Sequence, residues 1–119
     1  MSRISNNQGR AYEYAWINAL YKSLDPIRKT CIVSNSSLDA NERAWNDVSQ
    51  EKRELFTISA NAGVDAILEL EPKMEEENGD TLFLEFQKDE AGELGDVRDL
   101  VIRRDEIEWE IGLSIKHNH

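Results

Sequence analysis

Two apolar segments near the end of the chain, joined by a short polar link, most constrain how it can fold. The first is Gly95-Asp96-Val97-Arg98-Asp99-Leu100-Val101-Ile102. The second is Trp109-Glu110-Ile111-Gly112-Leu113-Ser114-Ile115-Lys116-His117-Asn118-His119. Branched and aromatic residues of this kind suit a pleated, buried surface, and the link from Arg103 to Glu108 only allows the chain to turn back on itself. If Arg104 and Ile107 flank that turn, paired residue numbers sum to about 211, which sets Asp99 opposite Gly112 and diagonal to Ser114. Alternation then gathers Asp99, Glu110, Gly112, Ser114 and Lys116 on one face and Trp109, Ile111, Leu113 and Ile115 on the other. A slip of one residue would reverse the faces. Apolar side chains on both faces predict a central strand pair covered on both sides.

This register carries chemistry. Diagonal neighbours on paired strands lie ~7–8 Å apart, close enough for an aspartate-held metal ion and a lysine to meet one phosphate. A carboxylate suits Mg²⁺, which neutralises charge developing on phosphorus, and a lysine beside it can position or deprotonate a water and stabilise the transition state. The ordinary alternative is a solvated ion pair at the end of a hairpin. An aspartate and a lysine alone are a weak signal, because paired charges occur at structural sites as well as functional ones.

The rest of the chain supplies the layers that such a hairpin needs. Residues 9–24 predict a helix, with Ala11, Tyr12, Ala15, Trp16, Ala19 and Leu20 at helical spacing and Ile17 widening the stripe. Pro26 ends it, since the residue before a proline avoids helical angles. Residues 27–34 read as a short strand or buried loop. A helical region over 39–70 starts with Asp39 as N-cap and Glu42 three residues later. A second helix within it begins near Ser49 and either breaks at Gly63 or runs to Pro72. Asn78-Gly79-Asp80 marks a turn into a strand over 81–87, and further strands are expected over about 98–104 and 109–117. Helices followed by three strands able to pair antiparallel predict an α/β (α+β) fold, a mixed central sheet with flanking helices. Residues 1–119 read as part of a single domain, with no repeat and no linker.

Charge cuts against one class of partner. The chain carries 24 acidic and 14 basic residues, a net charge of −10, whereas a duplex binder normally presents a basic face to the phosphates. The acidic runs over 69–80 and 89–96 read as solvated loops. The single cysteine, Cys31, lies in Thr30-Cys31-Ile32-Val33; it has no internal disulfide partner and is expected to be a buried structural thiol. The polar start lacks a signal peptide and no apolar run nears the ~20 residues of a membrane helix, so no membrane partner and a cytoplasmic location are expected.

The stretch from Gly95 to His119, with Ser5-Asn6-Asn7-Gln8-Gly9-Arg10-Ala11-Tyr12-Glu13 at the start, resembles type II restriction endonucleases of the PD-(D/E)XK superfamily, over all 119 residues. The phrase from Trp109 to His119 carries far more of that resemblance than the Asp and Lys do. It implies a PD-(D/E)XK nuclease-like core and Mg²⁺-dependent cleavage of double-stranded DNA at a short palindrome, GGCC. Asp99 matches the motif aspartate and Lys116 the motif lysine.

One departure follows. The superfamily usually places Glu or Asp two residues before the lysine, where this chain has Ser114, expected to contact water or metal. Glu110 is six residues from Lys116, ~20 Å along a strand and too far to share its ion. A second metal carboxylate is therefore expected elsewhere. Glu13 is the first candidate, because relatives in the superfamily often use a glutamate on an N-terminal helix; Asp96 and Glu85 are the alternatives. His117 and Asn118 are expected to approach DNA. His117-Asn118-His119 is not an HNH motif, whose residues are spread over a ββα unit. Since the lysine strand ends the chain, the sequence reads as the N-terminal portion of a longer domain whose base-reading part follows His119. A palindromic target favours a homodimer. Two other readings stay open: an acidic protein-interaction domain, and a repair nuclease of the same superfamily.

Overall fold

The computed structural model of the protein describes residues 3–87 and 98–115. Two of the three helices lie against one face of a four-stranded mixed sheet, and the third packs chiefly on the first helix. Helix α1, Arg3–Leu24, buries Ala11, Ala15, Ile17, Ala19, Leu20 and Leu24. Its three alanines are small enough for neighbouring helices to approach closely, and α2 (Ser36–Asp47) and α3 (Gln50–Leu70) both pack on it. Edge-to-face contact of Tyr12 with Phe56, ring centroids 5.4 Å apart, ties α1 to α3, and Tyr14 against Trp45 at 5.8 Å ties it to α2.

The cap of α2 differs from the sequence expectation. Asn35, not Asp39, is the N-cap: its Oδ1 accepts from the Leu38 N–H at 2.8 Å, and its Nδ2 donates to the Phe86 carbonyl at 3.0 Å. One side chain thus satisfies an orphan helix donor and fastens the helix to the sheet. Asp39 falls in the first turn, where its charge suits the helix dipole. The helix α3 begins beside Ser49 as expected, and the Ser49 side chain caps it, accepting from the Lys52 N–H at 3.1 Å. Gly63 does not break α3. It lies under the Trp16 indole, which an added Cβ would meet at 2.3 Å, so the glycine admits the ring. The helix runs on to Leu70, and a single 3₁₀ turn at Pro72–Met74 buries Met74.

The strands are β1 (Thr30–Ile32), β2 (Leu82–Phe86), β3 (Leu100–Arg104) and β4 (Glu110–Leu113), in the order β1-β2-β3-β4. β1 runs parallel to β2, and the other pairs are antiparallel. Leu82, Leu84, Phe86, Leu100 and Ile102 are at most 1% exposed and face the helices; each contributes about 1.5–3 kcal/mol by leaving water. Cys31 points the other way and is exposed, contrary to the expected buried thiol. In this short edge strand, alternation gives the covered face to Thr30 and Ile32 and turns Cys31 outward.

The hairpin register also differs. Leu100 pairs with Leu113 and Arg103 with Glu110, so paired numbers sum to 213 rather than 211. The cause is Asp105, whose Oδ1 accepts from the Thr81 N–H at 3.0 Å while its own N–H donates to the Thr81 carbonyl at 3.3 Å. Bound to the start of β2, Asp105 cannot serve in a two-residue turn, and pairing resumes with Arg104 N–H to Trp109 O at 3.2 Å. The shift is even, so the predicted faces survive. Coverage on both sides holds for β3 but not for β4, whose Glu110 and Gly112 are exposed.

Candidate active site

Pairing places Cys31, Phe83, Glu85, Val101, Arg103, Glu110 and Gly112 on the face of the sheet turned away from the helices. Asp99 enters this face one residue before β3, where the ends of three strands meet. Its N–H donates to the Leu113 carbonyl at 2.8 Å and its carbonyl accepts from the Gln87 N–H at 3.0 Å. Its side chain is fixed as well: Oδ2 accepts from the Ile115 N–H at 2.6 Å. A half-buried carboxylate is thereby held against the segment Ser114–Ile115. Oδ1 has no hydrogen-bond partner among the described residues, which leaves lone pairs for a cation.

Ser114 is exposed just beyond β4. Glu85 lies in β2 opposite Val101, diagonal to Asp99 on the same face, a relation that spans ~7–8 Å. Its Oε1 is 3.8 Å from Arg103 Nη2, and the Arg103 guanidinium sits 4.5 Å from the centre of the Phe83 ring. Glu13 occupies a different environment, the seam between α1 and α2. There its Oε1 accepts from Asn41 Nδ2 at 3.1 Å, and Asn41 Oδ1 accepts from Arg10 Nη1 at 3.2 Å. Asp96, Lys116, His117 and Asn118 lie outside the described residues. Among the described residues, no group of three or more His, Cys, Asp or Glu side chains is arranged to hold a metal ion.

Sequence reasoning missed two charge clusters. Asp80, read as part of a solvated acidic run, is fully buried. Its carboxylate accepts from Arg104 Nε at 2.8 Å and from Arg28 Nη2, and Arg104 Nη1 also reaches Glu76 Oε1 at 2.9 Å. The hydrogen bond from Arg104, with that from Arg28, holds the Asp80 carboxyl below its ordinary range despite burial, and Asp80 raises Arg104 in turn. This cluster joins the ends of β1, β2 and β3 far from Asp99 and is a structural staple. No local pattern reveals it, because Arg28 and Asp80 are separated by 52 residues. The second cluster is Arg98, Gly112 and Glu110, on the face of Asp99, and a glycine interrupting an apolar strand was its sequence signal.

A mixed α/β fold with a carboxylate pinned at the open end of the β3–β4 hairpin is consistent with a nuclease-like core. The model of the HaeIII restriction endonuclease family matches residues 9–119, and the chain belongs to that family. It is 48% identical over 119 residues, its whole length, to the type II restriction enzyme HaeIII of Haemophilus aegyptius. The chain spans 37% of the length of that relative. No solved structure matches it significantly.

Proposed function

We propose that the chain forms the cleavage centre of a type II restriction endonuclease, cutting both strands of double-stranded DNA at a short palindrome, GGCC, with Mg²⁺. The observation that carries this reading is the bond from the Ile115 N–H to Asp99 Oδ2, which ties the carboxylate to the strand end that leads into Lys116. Family membership and the 48% identity to HaeIII support the same reading. Its setting is the cytoplasm, and a two-fold palindrome is met most simply by a two-fold homodimer.

The donor set fits Mg²⁺. That ion is usually held by one or two carboxylates, with waters and substrate phosphate completing the shell, and Asp99 and Glu85 offer hard oxygen donors on one face. When bound, the ion supplies charge neutralisation at the scissile phosphate. In this proposal Asp99 is its main protein ligand. Glu85 is the second carboxylate, favoured over Glu13 by its place on the Asp99 face, with Asp96 as the alternative. Lys116 orients the attacking water and faces the negative charge that grows on the phosphoryl oxygens. Ser114 contacts that water, and His117 and Asn118 approach the DNA backbone. Changing Lys116→Ala in the full-length protein tests the assignment. Cleavage of plasmid DNA should fall by several orders of magnitude with duplex binding retained, and ordinary cleavage would refute the role of the lysine.

A further inference from the structure

A glycine inside a strand weakens it and commonly marks close approach by another group. At Gly112 that group is Arg98. An added Cβ would lie 1.9 Å from Arg98 Cδ, 2.5 Å from Cγ and 3.1 Å from Cβ. The whole stem of Arg98 therefore lies flat across β4, and its Nη1 ends 2.8 Å from Glu110 Oε2. Arg98 immediately precedes Asp99 in the chain, and the strand it covers presents Glu110 and Gly112 on the face of Asp99.

An ordinary surface ion pair does not explain this arrangement. Arg98 and Glu110 remain 38% and 49% exposed, and pairs so open to water contribute little to stability. They could also form above any residue that a strand favours. The arrangement instead carries the guanidinium over Gly112 and along the Asp99 face of the sheet to Glu110, so that a cation stands on the surface by which a duplex would reach Asp99. In a chain of net charge −10, a duplex reaching Asp99 meets repulsion unless cations stand next to it.

We propose that Arg98 binds a DNA phosphate flanking the cleavage centre, guided over Gly112 along the Asp99 face and held at Glu110 until a phosphate replaces that carboxylate. This rests on the nuclease reading above. A guanidinium fork matches two phosphate oxygens at once, which fixes the orientation of the phosphodiester as well as its charge.

The test measures duplex affinity against salt concentration, together with cleavage, in the full-length protein. Arg98→Ala should flatten the plot of log affinity against log salt by about one unit and lower kcat/KM by about 10–100-fold. Gly112→Ala leaves the arginine in the chain but evicts its stem, and should reproduce both changes. Arg98→Lys should restore the salt slope and not the full rate, because the ammonium lacks the fork. If Gly112→Ala proves misfolded by circular dichroism, the two Arg98 variants decide. An Arg98→Ala protein with the wild-type slope and rate overturns the proposal. Asp99→Asn, run in parallel, separates the two levels. Loss of cleavage there beside a wild-type Arg98→Ala sinks the arginine alone, whereas ordinary cleavage by Asp99→Asn sinks the site on which it rests.

Discussion

The Arg104 Nε and Asp80 Oδ2 atoms lie 2.8 Å apart with neither side chain exposed to solvent. Arg28 approaches the same carboxylate from the start of β1, so the end of the sheet remote from Asp99 is closed by a buried charge cluster. Removing one member of such a cluster strands the others in a dry environment. Asp80→Asn is predicted to destabilise the protein by about 3–5 kcal/mol, as loss of one partner in a buried ion pair does. Chemical denaturation of the variant and the wild type checks this, and a difference below about 1 kcal/mol would contradict it.

The same carboxyl predicts an acid limit. Its folded pKa lies below the ordinary value of 3.8, first because of the hydrogen bond from Arg104 and then that from Arg28. A carboxyl depressed on folding stabilises the native state above its ordinary pKa, and this stabilisation is lost as pH falls through the folded pKa. Stability should therefore drop below about pH 4 in the wild type and less steeply in Asp80→Asn. Thermal unfolding midpoints of both proteins between pH 2 and pH 6, on the order of the carboxylate range, would show it.

Gly63 predicts an inverted helix-propensity effect. Alanine in place of an interior helical glycine ordinarily gains up to about 1 kcal/mol. Here the new Cβ would fall 2.3 Å from Trp16 Cζ2, and overpacking costs about 1–3 kcal/mol. Gly63→Ala should come out destabilised in a denaturant melt, and a stabilised variant would show that the indole moves aside freely.

The cap of α2 separates two residues that sequence alone confuses. Asn35→Ala breaks both a cap bond and the link to Phe86, and should cost about 1–2 kcal/mol. Asp39→Ala should cost less than about 1 kcal/mol, because only a favourable helix-dipole charge is lost. Equal effects in unfolding experiments would return the cap to Asp39.

The contrast between Asn35 and Asp39 shows where the sequence was legible. Helical periodicity exposed α1 because Ala11, Ala15, Ala19 and Leu20 recur on one face, and alternation found both hairpin strands. The faces of Asp99 and Gly112 were recovered even though the register was off by two, since a strand repeats every two residues. What stayed hidden depends on distant partners: Asp105 reaching Thr81, Asp80 gathering Arg28 and Arg104, and Arg98 resting on Gly112. The first two leave no trace in local periodicity, and the third leaves only the glycine that interrupts an apolar strand. The pairing of Asp99 with the Ile115 amide lies between the extremes, because the sequence sets Asp99 diagonal to Ser114 but puts the Ile115 side chain on the other face and gives no sign of the bond to its amide.

The second carboxylate is the next prediction. Glu85→Gln in the full-length protein should lower cleavage and raise the Mg²⁺ concentration needed for half-maximal rate. Glu13→Gln should leave that concentration unchanged, because its carboxylate is engaged with Asn41 in the helix seam. Mg²⁺ titrations of the cleavage rate distinguish the two, and the reverse pattern would transfer the role to Glu13.

The central claim is that the carboxylate bound to the Ile115 amide is the one that works on the phosphodiester. Asp99→Asn tests it most directly, because the side-chain amide oxygen can still accept the Ile115 N–H while the negative charge is gone. In the full-length protein with Mg²⁺, the variant should retain its fold by circular dichroism and still bind duplex DNA, yet cleave plasmid several orders of magnitude more slowly. Cleavage within a few-fold of wild type by a folded Asp99→Asn protein would contradict the account.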